Sequence, residues 1–228
     1  MATQKRIEKA LENLEREDAR YSDLLELADA YFDAKEWEAA IETYDRCLSE
    51  NDKDSYVWHR LGYIFEAYKK DYVRALLYYR TSTELNPKAS NAWNNMGFIQ
   101  DVYLGNKETA LKFYQKALEI DPDYEYALLN LGVLYDSHYR DGDACIACFE
   151  RILKKNPLKE AAWHNLGIAY GKYKDDNDRA LEYIQKALEL NDNYADAWHT
   201  MGILQKHLLD NEEEAERCFS RAAELRGQ

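Results

Sequence analysis

AWHNLGIAYGKYKDDNDRALEYIQKALELND, residues 162–192, decides the fold. Its first six residues recur as VWHRLG at 57–62, AWNNMG at 92–97, ALLNLG at 127–132 and AWHTMG at 197–202, each start 35 residues after the last. Small residues stand at Ala40, Ala75, Ala110, Cys145, Ala180 and Ala215, again 35 apart. Four positions later come Tyr44, Tyr79, Tyr114, Phe149, Ile184 and Phe219; three further on come Cys47, Ser82, Ala117, Ile152, Ala187 and Ala222. Small, large and small at i, i+4 and i+7 trace one face of a helix. Pro87, Pro122 and Pro157 share one phase just past that helix, where proline is a stop signal.

Each unit reads as two amphipathic helices joined by a short polar turn such as LGNKE or RDGD. The spacing predicts first helices near 22–34, 55–69, 90–103, 125–139, 160–173 and 195–209. Second helices are predicted near 37–50, 72–86, 107–120, 142–155, 177–190 and 211–226. One such pair cannot bury its apolar face alone, so successive pairs must stack into a continuous core. Glycine costs a helix interior roughly 1 kcal/mol relative to alanine, so Gly62, Gly97, Gly132, Gly167 and Gly202 need a compensating gain. Close approach of a facing helix supplies it, with Trp58, Trp93, Trp163 and Trp198 filling the space between helices.

These residues resemble the tetratricopeptide repeat: W-x2-L-G-x2-Y, then a small residue, an aromatic, another small residue and proline. Residues 162–192 are the fullest copy, lacking the terminal proline. The resemblance implies an all-α, right-handed superhelical solenoid of antiparallel helix pairs. Six units are expected at about 21–54, 55–89, 90–124, 125–159, 160–194 and 195–228. Residues 1–20, with Ile7, Leu11 and Leu14 on one stripe, are expected to form a capping helix. The later units have 35 residues where the family has about 34, and the extra residue is expected in the inter-helix turn. The first unit keeps the shorter spacing and has Ala28 in place of glycine. After the sixth pair the sequence reads RGQ, with no extra polar helix of the kind that ends many such arrays, so association through that end is an alternative.

Composition narrows the function. Thirty basic and 43 acidic residues leave a formal charge of −13, which argues against nucleic acid and anionic membrane partners. The first twenty residues hold five basic and five acidic side chains, so the acidity belongs to the repeats. No stretch is apolar enough to span a bilayer, and MATQKRIEKALENLER lacks the apolar core of a signal peptide, so the expected location is cytoplasmic. Four cysteines inside helical patterns are expected to be reduced and buried.

In such arrays the first helices line a concave groove, and the resemblance says which positions face it. Two residues after each tryptophan position come Arg60, Asn95, Asn130, Asn165 and Thr200. Three consecutive asparagines form a ladder, each side chain offering an acceptor and two donors to an extended backbone. The alternative is that asparagine there is repeat grammar only. Three residues further lie Tyr63, Phe98, Val133, Ile168 and Ile203, either an apolar docking stripe or core. Glu66, Asp101 and Asp136 follow, giving one wall a negative field or serving as solvated carboxylates.

The expected function is a noncatalytic module that holds an extended or helical segment of a protein partner, basic or apolar, in this groove. The alternative is a scaffold that self-associates through its chain ends or convex face. Leu25 and Asp29 stand where the family's two-carboxylate clamp needs lysine and asparagine, so binding of chaperone EEVD tails is not expected. Cys145 and Cys148 form C-x-x-C without a second pair or nearby histidine to complete a zinc site, and His164 and His199, in equivalent places of adjacent units, are expected about 10 Å apart, too far to share a metal. No metal, cofactor or catalytic set is expected.

Overall fold

The computed structural model describes residues 2–208 and 210–227, and every regular element among them is helical. The chain divides into two compact units, residues 1–120 and 121–228. The first holds α1 (Ala2–Leu14), α2 (Tyr21–Asp33), α3 (Trp37–Glu50), α4 (Ser55–Ala67), α5 (Tyr72–Leu85), α6 (Ser90–Phe98) and α7 (Lys107–Ile120). The second holds α8 (Glu125–Leu134), α9 (Gly142–Lys155), α10 (Glu160–Ala169), α11 (Asn177–Leu190), α12 (Ala195–His207) and α13 (Glu212–Arg226). Four second helices begin and end at their expected residues: α3, α7, α9 and α11. Leu209, predicted as the last residue of a first helix, and Gln228 lie outside the described residues.

The core of each unit follows from the small-large-small pattern. Tyr44, Tyr79, Tyr114, Phe149 and Ile184 are all fully buried. Each ring or chain lies against a residue lacking a bulky side chain on its own first helix. A Cβ at Gly97 would come within 2.7 Å of the Tyr114 ring, and one at Gly132 within 2.7 Å of Phe149. Helix α1 sets Ile7 and Ala10 against Leu27 and Ala30 of α2.

The tryptophans do more than fill space. Half-buried, Trp58, Trp93 and Trp163 set their rings against Tyr78, Phe113 and Tyr183 at 5.3–5.7 Å. Each indole N–H donates to the carbonyl six residues earlier: Trp58 to Asp52, Trp93 to Pro87, Trp163 to Pro157 and Trp198 to Asp192. The tryptophan therefore ties its helix to the loop that precedes it, and proline still supplies the acceptor.

The extra residue falls in two places. In the second and sixth pairs it lengthens the inter-helix turn, as expected, from the three residues between α2 and α3 to four between α4 and α5 and between α12 and α13. In the third to fifth pairs it is absorbed in the last turn of the first helix, which widens to a π-turn at Ile99–Tyr103, Tyr135–Tyr139 and Tyr170–Lys174. The closing bonds record the change. In the first pair the amide of Glu36 donates five residues back, to Tyr31. In the others Asp71, Asn106, Asp141, Asp176 and Asn211 donate six back, to Phe65, Gln100, Tyr135, Tyr170 and Gln205.

Between the helices of each pair one residue turns left-handed: Lys35, Lys70, Gly105, Arg140, Asp175 and Asp210, with φ of 48–69°. The next residue usually caps the second helix. The side chains of Asp71, Asp141, Asp176 and Asn211 accept from the amides of Arg74, Ala144, Arg179 and Glu214 at 3.0–3.2 Å.

Candidate functional site

In the first unit, α4 carries Arg60 and Tyr63 and α6 carries Asn95 and Phe98, with Asp29 and Phe32 of α2 alongside. Arg60 is held in place. Its Nε donates to the Tyr56 hydroxyl at 2.7 Å, and its guanidinium lies 4.3 Å from the Phe32 ring centroid and 4.9 Å from that of Tyr56. Asp29 lies 3.7 Å from Nε and accepts from the hydroxyls of Tyr44 and Tyr56. Burial and the Asp29 hydrogen bond raise the Tyr44 hydroxyl pKa, keeping it a donor. Sequence reasoning missed Phe32, Asp29 and Tyr56 as one cluster. The signal was there in Asp29, which departs from the family's groove pattern.

Asn95 places Nδ2 3.4 Å from His59 Nε2, and His59 packs against the Tyr79 ring at 5.3 Å. Burial first, and Arg60 second, push the His59 pKa down to about 4. Tyr63 is 41% exposed, beside Phe32 at 5.5 Å. Phe98 is half-buried and meets Tyr103 edge-on at 5.7 Å.

The acidic positions are not equivalent. Asp101 is only 9% exposed and is paired with Lys107 at 2.5 Å, so it presents no free charge to a groove wall. Glu66, half-buried, accepts from the Tyr79 hydroxyl at 2.7 Å. Desolvation raises its pKa, and that hydrogen bond opposes the shift.

In the second unit the corresponding face belongs to α8, α10 and α12. Asn165 uses one Nδ2 hydrogen on its own helix, donating to Ala161 C=O at 2.8 Å. Asn130 is half-buried on α8. Thr200 bonds Asp196 C=O at 2.9 Å and lies 2.9 Å from His164 Nε2, whose Nδ1 faces the Tyr194 hydroxyl at 3.3 Å. Val133 and Ile203 are exposed at 43% and 40%, whereas Ile168 is partly buried against the Ile184, Met201 and Cys218 cluster. Asp136 is paired with Lys172 at 2.8 Å.

The outer faces hold one break in the repeat pattern. On second helices, the positions equivalent to Val73 are Glu38, Glu108, Asp143, Asp178 and Glu213, and those equivalent to Leu77 are Glu42, Lys112, Ala147, Glu182 and Arg217. Val73 and Leu77 are nonetheless 76% and 58% exposed on α5. Sequence reasoning passed over them because it read what the repeats share.

The four cysteines are buried and unpaired, and burial pushes the Cys145 and Cys148 thiols up to about 12 and about 11. His164 and His199 keep separate company, the latter against Phe219 at 5.4 Å. Among the described residues no three His, Cys, Asp or Glu are placed to hold a metal, and no helix is long and apolar enough to cross a membrane.

Comparison with known proteins agrees with this geometry. Residues 22–64 and 160–194 match models of the tetratricopeptide repeat, and residues 100–137 match a further TPR repeat model. The chain is a member of the tetratricopeptide-repeat family. No curated protein matches it as a relative. Among solved structures, the APC/C hetero-tetramer Cut9-Hcn1 is similar at TM-score 0.79 and 20% identity, over 99% of this chain and 44% of that one. PilW, a type IV pilus biogenesis factor, is similar at 0.74 and 21%, over 91% and 93%. YrrB, a TPR protein with an unusual peptide-binding site, is similar at 0.62 and 19%, over 81% and 93%. At these identities the likeness is one of fold.

Proposed function

We propose that this chain is a noncatalytic protein-interaction module whose first-helix faces receive an extended or helical segment of a partner protein. The observation that carries the reading is the first unit's face, where an aromatic-clamped Arg60, the exposed Tyr63 and the half-buried Asn95 and Phe98 lie on one set of helices. Apolar side chains supply burial, and asparagines fix the backbone of a bound segment, Asn95 on the first unit's face and Asn130 and Asn165 on the second unit's. YrrB shares the fold and has a peptide-binding site of its own, which makes peptides the first ligands to test. Residues 1–20 act as the cap, and the six units set out from the sequence are the repeats of the array.

The test is an arrayed peptide library probed with wild type and with an Asn95→Ala, Asn130→Ala, Asn165→Ala protein of matched melting temperature. The expected result is a set of peptides bound by wild type and lost by the triple variant. Peptides bound equally by both would make the asparagines repeat grammar and move attention off this face.

A second reading, self-association through the convex face, is favoured by Val73 and Leu77, which are apolar and exposed where other units are mostly charged. Light scattering over a concentration series tests it. A wild-type oligomer that dissociates on Val73→Glu with Leu77→Glu supports this reading, and a monomer at all concentrations removes it.

A further inference from the structure

Three carboxylates occupy the same repeat position, four residues after the helix glycine: Glu66, Asp101 and Asp136. Two carry a resident cation. Lys107 pairs with Asp101 at 2.5 Å and also donates to its backbone carbonyl at 2.9 Å, while Lys172 pairs with Asp136 at 2.8 Å. Glu66 has no Lys or Arg within ion-pair distance among the described residues; its partner is the Tyr79 hydroxyl at 2.7 Å. Lys69, three residues on, is engaged instead by Glu38 at 2.9 Å.

The surroundings of Glu66 suit a cation. Tyr63 lies one helical turn earlier on α4 and is exposed, and so is Tyr103 at the end of the next first helix. The Tyr103 ring is fixed by stacking on Tyr72 at 3.9 Å and by the edge contact with Phe98. Tyr72 and Tyr79, which contact Tyr103 and Glu66 respectively, lie seven residues apart on one face of α5. Burial first, then Tyr72 and the Glu66 carboxylate, raise the Tyr103 hydroxyl pKa. A half-desolvated carboxylate beside fixed aromatic rings attracts an ammonium or guanidinium by charge and by cation–π interaction. One carboxylate is too few ligands for a hard metal ion, which takes six or more oxygens.

We infer that Glu66, with Tyr63 and Tyr103, forms a subsite for a lysine or arginine side chain of a segment bound on the first unit's face. The inference rests on the groove reading and narrows it: the partner's basic residue is placed at Glu66, and Asp101 and Asp136, already neutralised, are released from that role.

The experiment titrates Nα-acetyl-lysine methylamide and Nα-acetyl-arginine methylamide into the full chain, with the neutral isostere Nα-acetyl-norleucine methylamide as control. Ring resonances of Tyr63 and Tyr103 are read by NMR. The expected result is saturable shifts with both cations, none with norleucine, and affinity reduced about tenfold or more in Glu66→Gln, a loss of about 1.4 kcal/mol. Equal shifts with norleucine, or affinity unchanged in Glu66→Gln, overturn the subsite. Should Glu66→Gln fail to fold, Tyr103→Leu keeps the carboxylate and is expected to weaken both cations several-fold, whereas unchanged affinity in that variant overturns the subsite. The peptide array separates this from the broader reading. Peptides bound without enrichment in Lys or Arg overturn the subsite alone, and cation shifts without any peptide binding overturn the groove reading alone.

Discussion

Gly62 lies against the face of Tyr79, so close that a Cβ on the glycine would come within 2.7 Å of ring atoms Cδ1 and Cε1. The ring is fully buried and its hydroxyl is bound to Glu66, so it has no free direction in which to retreat. The same relationship links Gly132 to Phe149 in the second unit. Gly132→Leu is expected to destabilise by about 1–3 kcal/mol or more through overpacking, read as a lower urea midpoint. A midpoint unchanged by the substitution would remove this account of why the helices tolerate glycine.

Helix capping is tested at Asp176, whose carboxylate accepts from the Arg179 amide at 3.0 Å. Asp176→Ala is expected to cost about 1 kcal/mol in thermal or urea unfolding. Asp178→Ala, on the exposed side of the same first turn, serves as control and is expected to change stability by less than about 0.5 kcal/mol.

The left-handed turn predicts a gain. Arg140 adopts φ 54° without the permissive backbone that Gly105 has at φ 69°. Arg140→Gly is expected to stabilise by up to about 1 kcal/mol, because relief of the left-handed strain exceeds the added freedom of the unfolded chain. Gly105→Ala is expected to destabilise by a similar amount, although nothing lies within 4 Å of the new methyl group. Differential scanning calorimetry of the two variants should show opposite signs.

Acid sensitivity follows from His59, whose pKa is pushed from 6.5 to about 4. The folded state binds this proton less readily than the unfolded chain. The stability held above pH 6.5 is therefore lost progressively as pH falls from 6.5 towards 4. The loss attributable to this ring is roughly 2–4 kcal/mol. Across that window the unfolding midpoint of wild type should fall relative to that of His59→Phe as the pH is lowered, and parallel curves would assign the acid sensitivity to other groups.

The helix pairs were legible because their signal is periodic: glycine, buried ring and small residue repeat at one spacing, and four second helices keep their expected limits. The π-turns were not legible. An extra residue shows in the count, but whether it widens the helix or lengthens the turn depends on where the amides of the last turn, and those of Asn106, Asp141 and Asp176 after it, find acceptors, a three-dimensional matter. The face residues divided in the same way. Tyr63 and Val133 are exposed as the groove expectation requires, yet Asp101 is covered by Lys107, a pairing six residues apart across the turn. Arg60 was legible as the ladder's neighbour in the repeat, and only packing revealed Phe32 and Tyr56 around its guanidinium.

The buried thiols have a practical consequence. Cys47 lies in α3, Cys145 and Cys148 in α9, and Cys218 in α13, each at a packing position and each raised above its ordinary pKa by burial. A maleimide or disulfide reagent at pH 8 therefore meets almost no thiolate until a helix pair opens. The native chain thus carries reporters in three of its helix pairs. The order in which they are alkylated would read which pairs separate first, without a label being introduced.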